Sequence, residues 1–433
     1  MAEIIKHERY IAVDHINNSN KFWYITLFDD ATTLVENGRV GSKPMTKGPK
    51  QHDSQEAAET FFEKTAAKKA KGKPGKVPYR KLDTMATTTA KSDAVDLESI
   101  VEEQIATSSV DTKKLLRYFI KQNIHNITSN TTITYNKQSG LFETPCGAVT
   151  KTSIDEARTT LISIAKYMKR DDRDERRYGM LVSEYLMLIP MKVGRKLLPD
   201  DIFCDKSDVE KQEGILDSLE ATYETIINSA TDDKGEKVES PKIFDVEFEL
   251  LEDKAEIKRI KDMYNDTKLS MHMCHRMRPK RIFKVKIGHM TEQFEAKGRP
   301  VGNIKELWHG TRDGNVLSIL KNGLMIPKSS EGHCTGRMFG DGIYFSDQST
   351  KALNYAAGYW GGSRVNKCFM FLADVAMGKE FVPNRSDSRM HTRVLEGRYD
   401  STFAKAGGCV RNNEMIVYKL EQANLKYIVE FEG

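Results

Sequence analysis

The spacing of apolar residues changes sharply at a polar stretch spanning residues 231–242. Upstream, from about residue 94, apolar side chains recur three and four positions apart, as on one face of a helix. Downstream they gather into short runs rich in β-branched and aromatic residues, at 244–250, 282–287, 368–373, 415–418 and 427–431. Such runs read as strands. Helical segments followed by a block of strands point to an α+β architecture in separate domains, with a mostly antiparallel sheet in the second half. At 433 residues and 39% hydrophobic content, the chain can fill two to four cores.

Before the helical block, residues 1–82 read as strands followed by one helix. Phe22-Trp23-Tyr24-Ile25-Thr26-Leu27-Phe28 is a strand, Asp29-Asp30 a turn, and Thr32-Thr33-Leu34-Val35 a second strand. Glu36 to Gly41 is a glycine-punctuated hairpin candidate. Ser54 is the expected N-cap of a helix that places Ala57, Ala58, Phe61 and Phe62 on one face. Residues 83–93 are small and polar, as a linker is. In the block 94–230 the clearest helix is expected over 153–170, with Ser153 and Glu156 as a capping box. Its stripe is Ile154, Ala157, Leu161, Ile164, Ala165 and Met168. A later helix after Asp208 is expected to bury Ile215, Leu216, Leu219, Tyr223, Ile226 and Ile227. Stripes of this kind are core, and nothing in the block looks catalytic. The connection between 128 and 150 has no assignable element.

Composition excludes several classes. No apolar run reaches the length of a membrane span, and the first residues lack the apolar core and cleavage site of a secretion signal. A cytosolic or nuclear setting is expected. Six cysteines in 433 residues make no disulfide framework. His272, Cys274 and His275 cluster without a second ligand pair at zinc-finger spacing, so no structural metal is expected. No GxGxxG follows a strand and no Walker loop occurs. The net charge of +5 hides an asymmetry: residues 64–81 hold eight basic side chains and no acidic one. Such a run suits phosphates and can serve as a nuclear address.

Gly38-Arg39-Val40-Gly41, after Asn37, resembles the signature of the WGR domain, a DNA-break-sensing module, with asparagine standing where the family has tryptophan. The helical block, with Leu188-Ile189-Pro190, is similar to the regulatory domain of DNA-dependent poly(ADP-ribose) polymerases. The strongest resemblance spans nearly 200 residues. Leu307-Trp308-His309-Gly310-Thr311-Arg312, Met338 to Asp347, Asn354-Tyr355 and Asn413-Glu414-Met415-Ile416-Val417-Tyr418 are similar to the catalytic domain of that family.

The resemblance implies a WGR-like domain at 1–82, a linker at 83–93, an all-α regulatory bundle at 94–230 and an α+β ADP-ribosyltransferase domain at 231–433. It implies NAD+ as co-substrate, with His309, Tyr344 and Glu414 as the catalytic set. His309, Gly310, Thr311, Tyr344, Lys351 and Tyr355 would hold the cofactor, Gly310 through its backbone and His309 as donor to a ribose hydroxyl. Met338 would lie on the acceptor side. Arg39, Lys68, Lys69 and Lys71 would meet DNA strand breaks, and the implied partners are acceptor proteins including the chain itself, in the nucleus. Three departures stand out: Ala352 replaces a serine expected to bond the carboxamide, Met325 replaces an arginine near the adenosine ribose, and the loop between Met377 and Asn413 is short. Transfer of polymer, transfer of a single unit, and a catalytically weak scaffold remain open at this point.

Overall fold

The computed structural model describes residues 2–72, 78–81, 97–105, 107, 109–136, 140–144, 147–168, 172–194, 196–228, 244–326, 338–358 and 365–433. The expected linker at 83–93 and the polar boundary at 231–242 lie outside them. The chain divides into two units: Met1–Val95 with Asn126–Tyr223, and Asp96–His125 with Glu224–Gly433.

In the first unit, five antiparallel strands lie in the order Met45–Gln51, Thr32–Arg39, Ser19–Phe28, Ile4–Asp14 and Arg80–Lys81. Trp23, Ile25 and Leu27 alternate onto one face and pack against Ala58, Phe62 and Ala66 of helix Gln55–Lys71. That helix starts as expected: the Ser54 hydroxyl accepts the Ala57 N–H at 3.1 Å. The edge strand Met45–Gln51 is exposed throughout and carries Lys47, Pro49 and Lys50. Lysine and proline on an edge discourage pairing with another chain.

The helices that follow along the chain bring two corrections to the sequence expectation. The helix expected to start at Ser153 runs Lys151–Tyr167, because Thr150 caps it, its hydroxyl accepting the Ser153 N–H at 3.2 Å. Glu156, the other half of the supposed capping box, pairs with Arg80 at 3.3 Å instead. Ile227, expected in the core, is 37% exposed, whereas Ile226 is buried. Adjacent helical residues point about 100° apart, and here Ile226 turns inward while Ile227 turns outward. Between 128 and 150 the structure places three short strands, Thr134–Tyr135, Phe142–Thr144 and Gly147–Ala148. Two or three residues are too few to show alternation.

The second unit holds two sheets. The larger has the order Ile304–Gly310, Lys367–Ala376, Ala423–Glu432, Arg278–Ile287 and Val246–Leu250, all antiparallel. Its second strand, Lys367–Ala376, is paired on both sides and buried at nearly every position, which explains a continuous apolar run without alternation. The smaller sheet orders Ile343–Phe345, Glu414–Val417, Ser401–Ala404 and Glu380–Phe381, the last pair parallel. Trp308 and Ser346 join the sheets by exchanging backbone hydrogen bonds at 2.9 and 3.0 Å.

Residues 110–125 pack on this unit. The Phe119 ring stands edge-on to Phe369 at 4.8 Å, and the Tyr118 hydroxyl donates to Asp313 Oδ2 at 2.6 Å. Burial pushes the Asp313 carboxyl up to about 6, with the Tyr118 hydroxyl opposing the rise. A carboxyl that holds its proton more tightly in the fold stabilises below about pH 4, and the contribution is lost as pH rises through 6. Tyr118→Phe is expected to cost about 1.5–3 kcal/mol at pH 7.5, where the hydroxyl faces a carboxylate, and about 0.5–1.5 kcal/mol at pH 5. Urea unfolding at both pH values measures this. An equal loss at both would sink the charge assignment.

Candidate active site

A cleft of about 190 Å³ opens where the two sheets meet. Strand Ile304–Gly310 brings His309 and Gly310 to it, strand Ile343–Phe345 brings Tyr344, and strand Glu414–Val417 brings Glu414 at its first position. Helix Ser349–Ala356 adds Lys351, Ala352 and Tyr355, with Tyr355 four residues after Lys351 and three after Ala352. Met338 closes one side. Thr311 is not among the lining residues; its hydroxyl accepts from Asn315 Nδ2 at 3.2 Å and braces the following turn. Met325 does not line the cleft either and is exposed.

Each side chain has a visible reason for its position. Tyr344 is pinned by its hydroxyl, which donates to the Gly340 carbonyl at 2.9 Å and accepts the Phe339 N–H at 3.1 Å. His309 Nδ1 lies 3.0 Å from the Tyr344 carbonyl. A carbonyl only accepts, so the proton sits on Nδ1. Burial pushes the imidazole below its ordinary value, so the ring is neutral and Nε2 is an acceptor. Tyr355, 49% exposed, stands at the mouth.

Lys351, named from sequence as a cofactor residue, pairs with Glu414, and that pairing was not foreseen. Its ammonium lies 2.9 Å from Glu414 Oε1 and donates to the Asn413 carbonyl at 2.9 Å. Burial lowers the Lys351 ammonium from its ordinary value, while Glu414 acts to raise it. Asn413 is held in turn, donating from Nδ2 to Asp347 at 2.8 Å and accepting the Ala406 N–H at 2.8 Å. The carboxylate is thus fixed on one side by a buried cation. No local signal foretells this, since 63 residues separate the pair (414 − 351).

Gly310 has a reason beyond a ligand. A Cβ there would stand 1.8 Å from the Ala352 carbonyl oxygen and 2.7 Å from its carbon. Only glycine lets helix Ser349–Ala356 approach the strand this closely. The donor set suits one end of a dinucleotide: two aromatic rings, a fixed carboxylate, an acceptor imidazole and a wall without a side chain. At about 190 Å³ the cleft falls below the roughly 300–1,000 Å³ of sites that enclose a whole drug-sized ligand.

Comparison with known proteins identifies the domains. Residues 254–433 match the model of the poly(ADP-ribose) polymerase catalytic domain, and residues 9–73 match the WGR domain. The poly(ADP-ribose) polymerase-like protein 100L of Invertebrate iridescent virus 6 is 33% identical over 129 residues, 28% of this chain and 68% of that protein. The chain belongs to the poly(ADP-ribose) polymerase family.

It carries the NAD+-dependent ADP-ribosyltransferase domain of that family. The human protein mono-ADP-ribosyltransferase PARP3 is 26% identical over 392 residues, 84% of this chain and 70% of that protein. Poly [ADP-ribose] polymerase 2-B of rice is 27% identical over 319 residues, covering 66% of this chain. The chain spans about half of that rice relative, 51%.

Within the WGR-matched residues and just beyond, the four cations named from sequence are not equivalent. Lys68 and Lys71 are exposed on the last turns of helix Gln55–Lys71. Lys69 lies over the rings of Trp23 and Tyr79, at 5.4 and 5.0 Å. Arg39 donates to the Gly194 carbonyl at 2.8 Å. Asn37 pairs across the sheet with Trp23, which is buried. Among the described residues no three His, Cys, Asp or Glu side chains converge as metal ligands, and no helix is long and apolar enough to cross a membrane.

The serine missing at 352 gives a direct test of the carboxamide contact. Ala352→Ser is expected to tighten binding of a nicotinamide analogue by roughly two- to tenfold, the worth of one neutral hydrogen bond of about 0.5–1.5 kcal/mol. Calorimetric titration of both proteins measures it, and an unchanged Kd would remove residue 352 from the carboxamide site.

Proposed function

We propose that this chain makes poly(ADP-ribose) from NAD+, releases nicotinamide, and is turned on by DNA breaks in the nucleus. The observation that carries the chemistry is Glu414, the one carboxylate among the described residues lining the cleft, set by Lys351 at 2.9 Å beside Tyr344 and Tyr355. A leaving pyridinium departs as neutral nicotinamide, so it needs no proton from a general acid. Ordinary glycosides need two carboxylates for that reason. Here one suffices. Glu414 accepts a hydrogen bond from the 2′-hydroxyl of the nicotinamide ribose and stabilises the oxocarbenium-like sugar as charge develops. It also orients the incoming acceptor hydroxyl.

The remaining residues position the substrate. Tyr344 and Tyr355 flank the nicotinamide ring, the Gly310 backbone takes its carboxamide, and His309 Nε2 accepts from the adenosine ribose. Thr311 supports the turn behind them, and Met338 borders the side from which an acceptor enters. Acceptors include other proteins and the chain itself. Residues 1–82 sense the DNA end through Lys68, Lys71, Lys69 and Arg39, and 94–230 restrain the transferase at 231–433 until they do. Support for the DNA step is the WGR match and the exposed lysines of helix Gln55–Lys71.

Single-unit transfer is the second reading. It is favoured by the 84% of this chain that aligns with a relative named a mono-ADP-ribosyltransferase. Purified protein with labelled NAD+, with and without nicked DNA at two salt concentrations, separates the cases. The expected result is a smear of automodified protein that requires DNA. Its DNA dependence should weaken with salt at a slope near −0.9 per phosphate neutralised. A discrete small shift would replace polymer by single-unit transfer. Equal activity without DNA would remove the DNA step.

A further inference from the structure

Beneath the cleft lies a buried histidine that the transfer chemistry leaves unused. His272 sits in the turn segment between helix Lys254–Thr267 and strand Arg278–Ile287, and is buried. This segment is stapled to one residue of the site helix. Thr350 receives the Leu269 N–H on its hydroxyl at 2.9 Å and Cys274 Sγ on its carbonyl at 3.1 Å, and His272 Nδ1 lies 2.8 Å from the same hydroxyl. Thr350 is wholly buried and immediately precedes Lys351.

The direction of these bonds can be worked out. Thr350 Oγ1 already accepts from a backbone N–H, so its own hydrogen is available for His272 Nδ1. Nδ1 is then the acceptor, and the ring proton sits on Nε2. Burial and the Lys351 charge both act to keep the ring neutral. His272 Nε2 is buried without a hydrogen-bond partner, and so is Asn412 Oδ1. Asn412 is the neighbour whose side chain favours a proton on this ring. A buried donor and a buried acceptor left over at the same place are each costly alone and complementary together. Asn412 stands two residues before Glu414 and next to Asn413, whose carbonyl holds Lys351.

We propose that His272 is a positioning residue for the transfer step: it braces Thr350 with one ring nitrogen and Asn412 with the other, and thereby sets the spacing of Lys351 and Glu414. The relay runs Leu269 N–H to Thr350 hydroxyl, to His272 Nδ1, and from Nε2–H to Asn412 Oδ1. It ties the helix that carries the cation to the strand approach that carries the carboxylate. The proposal rests on the reading of Glu414 as the transfer carboxylate.

The test uses the full chain with His272→Phe, His272→Gln, Asn412→Ala, the His272→Phe/Asn412→Ala double variant and Glu414→Gln. Nicotinamide release is followed over a range of NAD+ concentrations, with thermal melts on every protein. His272→Phe is expected to lower kcat on the order of ten- to a hundredfold, the effect of a reacting group misplaced by a fraction of its contact distance, with KM for NAD+ little changed. Asn412→Ala should act in the same sense, and the double variant should lose no more than the worse single, as for residues in one relay. His272→Gln, which keeps a donor amide, should recover part of kcat. If His272→Phe does not fold, His272→Gln and Asn412→Ala carry the measurement.

Unchanged kcat, a loss confined to KM, or effects of His272 and Asn412 that simply add would overturn the proposal. Glu414→Gln separates the two levels. If it loses kcat while the His272 and Asn412 variants keep theirs, only the positioning role fails. If it keeps kcat, the assignment of the carboxylate fails with it.

Discussion

Replacing Glu414 by glutamine is expected to lower ADP-ribose transfer from NAD+ by about 10²–10³-fold, the usual cost of removing one electrostatic group aimed at developing charge. Glutamine keeps the volume and one oxygen, so the loss isolates the negative charge. It also takes the counter-charge from Lys351, which lies 2.9 Å from Glu414 and whose ammonium burial already disfavours. Removing one partner of a buried ion pair can destabilise by about 3–5 kcal/mol, and the retained amide oxygen should keep the loss below that range. Activity and thermal melts on the same preparation therefore give two readouts. Lys351→Met, which removes the cation and keeps much of the stem, should lose activity through Glu414 rather than through NAD+ binding. Long polymer at the wild-type rate from Glu414→Gln would refute the role given to this carboxylate.

The second large effect is expected at Gly310. The Cβ of Gly310→Ala would meet the Ala352 carbonyl oxygen at 1.8 Å, far inside van der Waals contact with backbone that cannot rotate away. Helix Ser349–Ala356 must move outward, and Lys351 and Tyr355 move with it. Overpacking of this kind costs about 1–3 kcal/mol, and a displacement near 1 Å at reacting groups costs roughly 10²-fold in rate. Urea unfolding decides between two reasons for the glycine. If a side chain there only obstructs the carboxamide, stability will be unchanged while NAD+ binding is lost. The helix contact predicts that both fall together.

Much of the local structure was legible because it is written in neighbouring residues. Ser54 announces its helix through a hydroxyl within reach of Ala57, and Gly323 ends helix Val316–Asn322 with φ at 73°. The failures were also local in origin. Thr150 and Ser153 can each cap the same helix, and only the folded backbone shows that Thr150 does. Strand Ile4–Asp14 contains Lys6, His7, Glu8 and Arg9 in succession, which hides its alternation. Glu8 is accommodated by Lys81 at 2.6 Å, from a strand more than seventy residues away.

The basic side chains give the same lesson for function. From sequence, Arg39 and Lys68, Lys69 and Lys71 are four equal cations. In the fold Arg39 spends a donor on the Gly194 carbonyl, and Lys69 covers Trp23 and Tyr79, while Lys68 and Lys71 face solvent. Charge is a property of a residue, but availability depends on what the chain brings beside it.

The sequence by itself determined the family and the α+β class, and it named His309, Gly310, Tyr344, Tyr355 and Glu414, which the fold gathers in one cleft, because motifs and strand or helix propensity are carried by short stretches. Only the tertiary structure decided how those residues work on one another. The Lys351–Glu414 pair, the proton on His309 Nδ1, the Ala352 carbonyl that demands glycine at 310, and the Thr350–His272 brace all join segments 35 to 78 residues apart. Such contacts arise when sheets and helices close on one another, and no local spacing encodes them.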